Sequence, residues 1–127
     1  RHKLGLHEVV FAHVSLHRHT KGATEEFMDK VLRREEVQEC YALTGENERL
    51  HARVDQFFSR VESQFRQVLR EAPMRGEELK TQEPEVTARL LADWIEGRMH
   101  HFRRSGFRES PMDGLEEGWK QLAAAVF

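Results

Sequence analysis

The sequence is poor in several features that would place it in a specialised class of protein. Its 127 residues include one cysteine, Cys40, so no disulfide can form within the chain, which fits a reducing cytoplasm. No run of about 18 apolar residues is present, so we expect no membrane span, and no apolar leader opens the chain. The formal net charge is −2, from 20 basic and 22 acidic side chains, so no global field draws the chain onto nucleic acid. The first residue is Arg1 rather than Met, which suggests a processed or incomplete product.

The first third of the chain predicts a strand, a helix and a second strand. EVVFAHVSL, residues 8–16, clusters β-branched and aromatic residues with a period of two, as a strand does. ATEEFMDKVLRR, residues 23–34, has apolar residues at helical spacing. From Val37 to Leu43 the pattern alternates again, which predicts a second strand. Because an isolated two-stranded unit is marginal, we expect these strands to pair with another strand.

The rest of the chain predicts three longer helices. The segment from Glu46 to Glu71 contains no Gly or Pro and has an apolar stripe at spacings of three and four. A loop follows at residues 72–84, since it contains two prolines and a glycine without an apolar period. The next helix ends at Gly106, and the last is predicted to start with Ser110 as its N-cap and Pro111 as its first residue. One stripe is predicted for the middle helix of the three: Val86, Leu90, Leu91, Trp94, Ile95, Met99 and Phe102.

Few side chains are arranged for catalysis or metal binding. His17 and His19 would point the same way in a strand, but a zinc site needs three or four ligands, so a solvated strand end is the simpler interpretation. Cys40 lies next to an acid, which opposes a reactive thiolate and favours a buried hydrophobic role. We predict no enzyme activity, no catalytic residue, no cofactor and no metal.

A basic run near the end of the predicted middle helix could contact phosphate, but its members spread around the helix, where cations also suit the helix dipole. The run comprises Arg98, His100, His101, Arg103, Arg104 and Arg108.

The presence of Gly97 inside a predicted helix requires an explanation, because glycine inside a helix costs about 1 kcal/mol relative to alanine. Close approach of two helices across a dimer interface is the reason we favour.

Two family resemblances divide the chain. Residues 6–46 resemble the first half of the effector-binding domain of Lrp/AsnC-type transcriptional regulators, above all in the stretch VSLHRHTKGATEEFMDKVLRREEVQECYALTGE at residues 14–46. In that family a helix carrying a Phe is followed by a valine, any one residue and an acid–cysteine pair, and then by a TG-acid turn. The pattern is met here by Phe27, Val37, Glu39, Cys40, Thr44, Gly45 and Glu46. The resemblance implies half of a ferredoxin-like sheet, and amino acids as effectors.

The second resemblance covers residues 42–127. The phrases ERLHARVDQFFSRVESQFRQVLRE, EGRMHHFRRSGFRESP and LEEGWKQLAAAVF resemble the carboxy-terminal region of SlmA-like nucleoid-occlusion regulators, a branch of the TetR-type family. The resemblance implies a regulatory bundle whose last two helices pack against a second copy. It also implies a DNA-reading helix-turn-helix amino-terminal to this region, for which no match is present, and FtsZ as a partner.

The sequence therefore predicts an α+β, mostly helical fold: a β-α-β half of a ferredoxin-like domain followed by three longer helices of a TetR-type bundle. We predict one unit at residues 1–45 and a second at 46–127, joined near residues 42–46 as a possible chimera. The predicted product is a cytoplasmic, non-catalytic dimerisation and interaction module with no membrane contact. The alternatives are an amino-acid-binding module and a fused scaffold without activity. By resemblance, the homodimer interface is expected to involve Trp94, Gly97, Arg98, His101, Trp119 and Leu122.

Overall fold

A computed structural model describes residues 20–44, 48–80 and 83–127 of the chain. Within these residues there are five α-helices and a short 3₁₀ helix at Pro73–Arg75, and no strand. The α-helices are α1 Thr20–Arg33, α2 Glu35–Thr44, α3 Glu48–Glu71, α4 Pro84–Arg104 and α5 Leu115–Val126. The predicted strand at residues 8–16, together with His17 and His19, lies outside the described residues.

The predicted β-α-β unit is wrong, because its second strand is helix α2. Val37, Cys40 and Tyr41 are each 1–2% exposed and are spaced three and four residues apart, which is one face of a helix. The same stretch alternates in hydrophobicity, so the local pattern fits both a strand and a helix. Burial of the helical face against the core decides between them, and Glu35 and Glu36 in the first turn suit the helix dipole.

Helix α3 forms the centre of the core. Its predicted stripe is buried as expected, including Phe57, Val61 and Phe65, each at most 2% exposed. Phe65 meets Phe27 of α1 edge-to-face, with ring centroids 5.4 Å apart. Side chains of this size each contribute about 1.5–3 kcal/mol when fully buried, so this face is a major source of stability.

The connection after α3 forms hydrogen bonds with the start of α1 and with the end of α5. Thr20 at the start of α1 donates its backbone N–H to Glu77 Oε1 at 2.8 Å, and Arg75 donates to the Thr20 hydroxyl at 2.9 Å. Lys80 donates its backbone N–H to the carbonyl of Val126 at 2.7 Å, which satisfies a carbonyl at the end of α5. The predicted loop is therefore an ordered connection over the part that is described.

The end of α4 is capped by a Schellman motif. Gly106 has φ +71° and donates its N–H to the carbonyl of Arg103 at 3.0 Å, while Phe107 donates to the carbonyl of Phe102 at 2.9 Å. The rings of Phe102 and Phe107 meet at 5.3 Å, the apolar contact that accompanies this motif. Gly106 is thus the predicted helix terminator, and it fixes the direction in which the chain leaves α4.

The last helix begins later than the sequence predicts. Residues 111–114 form turns, and α5 starts at Leu115 after Gly114, whose φ is +72°. Ser110 does act as a cap, but on the turn: its hydroxyl accepts the N–H of Met112 at 3.1 Å. The turn places Pro111, which is buried, against α4.

Candidate dimer and interaction surface

Helix α4 has a buried face and an exposed face that is also partly apolar. Leu91, Ile95 and Met99 are fully buried, whereas Val86 is 53% exposed and Leu90 is 55% exposed. The single stripe predicted for this helix therefore joins residues from both faces. Large apolar side chains left in water on one helix face mark a candidate contact surface.

A surface hollow of about 450 Å³ continues this exposed face towards the end of α4. Four of the six residues predicted for a dimer interface line it together: Trp94, Gly97, Arg98 and His101. The remaining lining residues come from α4 and from the connection to α5: Asp93, Arg104, Glu109, Ser110, Pro111 and Asp113. We refer to the exposed apolar residues and this hollow together as the α4 surface.

Arg98 builds one wall of the hollow. Its Nε donates to the carbonyl of Pro111 at 2.6 Å, and its guanidinium lies 5.3 Å from the centroid of the Trp94 ring. Partial burial lowers the pKa of Arg98, and the carboxylate of Asp113 opposes that shift. The guanidinium thus holds the turn at residues 111–114 against α4 and places a positive charge in the wall of the hollow.

His101 also lines the hollow and lies between two charged partners. Its Nε2 is 2.5 Å from Glu109 Oε1, and its Nδ1 is 3.4 Å from Arg104 Nη2. Both ring nitrogens thus lie within hydrogen-bonding distance of a charged side chain, and the ring itself stays exposed.

Gly97 has no neighbour that explains it. A Cβ built at this position meets nothing within 4 Å, so no contact in the subunit requires the small residue. Glycine inside a helix costs about 1 kcal/mol relative to alanine. The position is consistent with a contact made outside the subunit.

The other two residues predicted for the interface, Trp119 and Leu122, lie on α5 and do not line the hollow. Trp119 is 2% exposed, with its ring 6.0 Å from that of Phe127, so its side chain belongs to the subunit's own core. Its buried indole nitrogen has no hydrogen-bond acceptor among the described residues. Leu122 is partly buried against the core. Trp94 of α4 contacts α5 at Gly118, where an added Cβ would stand 2.7 Å from Trp94 Cζ2.

The basic run does not form one patch. Arg98 and Arg104 line the hollow, but Arg103 lies over the Tyr41 ring at 5.6 Å, on the α2 side. His100 accepts or donates a hydrogen bond with the Tyr41 hydroxyl at 2.7 Å. Burial lowers the pKa of His100, and the cations of Arg103 and Arg104 lower it further, so the neutral ring that accepts from Tyr41 is favoured.

Cys40 is buried, and burial raises the pKa of its thiol, with Glu39 adding to the effect and Arg53 opposing it. This environment favours the inert thiol.

In the part of the chain that the structure describes, no three or more His, Cys, Asp or Glu side chains are grouped so that they could hold a metal ion. None of the described helices combines the length and apolar character needed to cross a bilayer.

A groove between α3 and α4 was not predicted. It is lined by four carboxylates, Asp55, Glu62, Asp93 and Glu96, and by Arg89, whose Nε is 3.0 Å from both oxygens of Glu62. Burial raises the pKa of Glu96, and the nearby carboxylates raise it further. The sequence shows each acid on a polar helix face, but only the packing of α3 on α4 brings them together.

Comparison with known proteins places the chain in a family. Residues 32–126 match the SlmA-like family described as "Tetracyclin repressor-like, C-terminal domain". The match begins upstream of the junction predicted near residues 42–46, and the division of the chain at residue 45 stays a prediction.

Curated relatives carry the name nucleoid occlusion factor SlmA. The protein from Cronobacter sakazakii is 47% identical over 87 residues, which are 68% of this chain and 43% of the relative. The protein from Colwellia psychrerythraea is 45% identical over 83 residues, 65% of this chain and 42% of the relative. That from Vibrio vulnificus is 41% identical over 87 residues, 68% of this chain and 44% of the relative. The chain thus spans less than half the length of these relatives. The predicted resemblance to SlmA-like regulators is confirmed, and the chain belongs to the SlmA-like family of tetracycline-repressor-like carboxy-terminal domains.

Proposed function

We propose that the chain is a non-catalytic dimerisation and interaction module of an SlmA-like nucleoid occlusion regulator, and that the α4 surface joins two copies of it. The observation that carries the proposal is Gly97, a glycine in the middle of an exposed helix face where an added Cβ would meet nothing within 4 Å. Val86 and Leu90 lie on the same helix and are more than half exposed. An isologous contact would bury them and would use the space at Gly97.

The exposed face of α4 is long enough to seat a second helix. The hollow and the exposed apolar residues extend from Val86 to Arg104, which is about 27 Å of helix at 1.5 Å per residue. Burying apolar surface stabilises association by about 25 cal/mol per Å², before the entropic cost of association is subtracted. Val86 and Leu90 together with the Trp94 ring supply that apolar surface.

Sedimentation velocity over a wide range of concentrations tests the proposal. We expect the wild-type chain to dimerise and Gly97→Leu to weaken the dimer, because the new side chain occupies the space that the second copy would use. Gly22→Leu is the matched control, since Gly22 in α1 also has nothing within 4 Å of an added Cβ. A monomeric wild-type chain, or equal dimerisation by both variants, would overturn the proposal.

The partners of the whole regulator are a finer part of the same proposal. By resemblance we propose chromosomal DNA and FtsZ as partners of the complete regulator, with the DNA contact made by a helix-turn-helix outside the helices described above. We therefore expect this chain alone to give no gel shift with chromosomal DNA. Co-sedimentation with FtsZ decides whether the FtsZ contact draws on these helices, because pelleting with FtsZ polymers requires a binding surface in this chain.

A further inference from the structure

The surface of α3 outside the core is divided into an acidic flank and a basic flank. Asp55 and Glu62 line the groove between α3 and α4, so the acidic flank faces α4. Arg53 and Arg60 each stand two residues before one of these acids, which is about 200° around a helix of 3.6 residues per turn. Both arginines are exposed, so they lie on the flank of α3 that is turned away from α4.

Arg49 extends the basic flank by one further turn. It is exposed and lies four residues before Arg53, while Arg60 lies seven residues after Arg53, so all three share one face of the helix. The exposed positions between and beyond them carry neutral polar side chains: Gln56, Ser63 and Gln67. We refer to these six residues together as the α3 arginine face. None of the six carries a carboxylate.

The fold makes little use of the arginines on this face. Within the described ranges, the side chains of Arg53 and Arg60 form no hydrogen bond and no ion pair. By contrast, Arg66 and Arg70, the next two arginines of the same helix, each pair with a glutamate. Arg49 and Arg53 are four residues apart, and like charges at this spacing destabilise a helix. A contact made outside the subunit explains why three arginines stand in one row.

The charges around this face favour a narrow acidic partner. The acidic flank of α3 lies on one side of the row, and on the other side α2 presents Glu39, which is exposed. Glu39 is next to Cys40, and Cys40 lies close enough to Arg53 for that cation to lower the pKa of its thiol. A wide polyanion such as duplex DNA would bring phosphates against these carboxylates, whereas a single acidic helix or strand contacts the row alone.

We infer that the α3 arginine face docks an acidic segment of a partner protein, whose carboxylates pair with Arg49, Arg53 and Arg60. From the first to the last of these arginines the helix rises about 17 Å, which matches three turns of an acidic helix that presents a carboxylate at each end. Arginine suits this role because its planar guanidinium binds a carboxylate through two parallel hydrogen bonds. The face lies on α3, so the inference does not depend on the proposed dimer through α4.

Fluorescence anisotropy with a synthetic acidic peptide tests the inference. The probe is a labelled helical peptide of about 20 residues whose glutamates recur at alternating spacings of four and three residues. The same peptide with lysine in place of each glutamate is the comparison. We expect the chain to bind the lysine peptide at least about tenfold more weakly than the glutamate peptide at low ionic strength. Added salt should weaken the glutamate complex, because exposed ion pairs are screened.

Removal of two guanidinium groups should weaken this complex without affecting the fold. Arg53→Gln combined with Arg60→Gln is expected to lower the affinity for the glutamate peptide about fivefold. The midpoint of urea unfolding should not fall, since both side chains are exposed and lack an ion pair within the described ranges. Lys21→Gln combined with Lys30→Gln is the matched control, because it removes the same charge from exposed positions of α1 and should bind like wild type.

Charge reversal completes the test. Arg53→Glu combined with Arg60→Glu should exchange the preference, so that this variant binds the lysine peptide more tightly than the glutamate peptide. A wild-type chain that does not prefer the glutamate peptide, or an equal loss of affinity in the α1 control variant, overturns the inference. Binding of a single-stranded DNA oligonucleotide in preference to the glutamate peptide, lost with the same two arginines, also overturns it and assigns the face to nucleic acid.

Discussion

The hydrogen bond between Tyr41 and His100 links α2 to α4, and its removal should have a measurable and pH-dependent cost. Tyr41 is 2% exposed, and its hydroxyl lies 2.7 Å from His100 Nε2. Its ring also meets Phe58 edge-to-face at 6.3 Å and the His100 ring at 5.1 Å. Tyr41→Phe keeps both ring contacts and deletes the hydroxyl alone.

A neutral hydrogen bond of this kind contributes about 0.5–1.5 kcal/mol to stability. The His100 ring is partly accessible to water, so its nitrogen can be hydrated after the hydroxyl is lost, and we expect a cost of about 1 kcal/mol for Tyr41→Phe. A double-mutant cycle with His100→Ala, measured by urea unfolding at one chain concentration and pH 8, should give a coupling energy of similar size. The fixed concentration matters because dimerisation would shift the apparent stability.

The coupling should disappear as the pH falls. Burial and the neighbouring arginines lower the pKa of His100 in the folded state below its ordinary value near 6.5. Between the lowered pKa and 6.5 the unfolded chain binds more protons than the folded chain, so stability rises with pH in that window. The contribution is therefore complete above about pH 6.5 and is lost as the pH falls through that window, where protonated His100 can no longer accept from Tyr41. Additive effects of the two substitutions at pH 8, or an equal loss of stability on acidification in wild type and in His100→Ala, would refute the reasoning.

Four further changes test the packing and the backbone geometry by chemical denaturation. Phe65→Ala removes a ring that is 1% exposed, and we expect it to lower the free energy of unfolding by about 3–5 kcal/mol. Gly106→Ala should cost about 1 kcal/mol, because φ at this position is +71° and disfavours a Cβ. Gly118→Ala should cost about 1–2 kcal/mol, since its Cβ would stand 2.7 Å from the Trp94 ring and force that ring to move. Gly22→Ala, whose Cβ meets nothing within 4 Å, should instead be neutral or stabilising by up to about 1 kcal/mol.

The candidate surface was only partly predictable. Gly97 was identifiable from the sequence because an interior helix glycine is costly wherever it occurs. Trp119 is predicted for the same interface and stays a prediction there, with its side chain 2% exposed in the subunit. The two tryptophans cannot be separated by residue type or spacing, because exposure depends on which neighbouring helix covers each one.

The pattern of apolar residues by itself determined the long helices. The stripe of α3 has six apolar residues at spacings of three and four and no Gly or Pro, which leaves one arrangement that buries them all. The order of charges at the end of α4 and the glycine after it likewise set where that helix stops. The ordered phrases of residues 42–127 were enough to indicate the SlmA-like family, which the family comparison confirms.

Only the tertiary structure decided between patterns that the sequence leaves equal. Val37, Cys40 and Tyr41 would share one face of a helix, whereas Val37, Tyr41 and Leu43 would share one face of a strand. In the folded chain, Val37, Cys40 and Tyr41 pack together into the hydrophobic core, so the segment is a helix. The apolar stripe of α4 is too wide to be covered by α3 alone. The packing of α4 on α3 therefore decides which apolar residues are buried, and Val86 and Leu90 stay exposed to water. Local patterns record which residues avoid water, but the surface that covers them is supplied by distant parts of the chain.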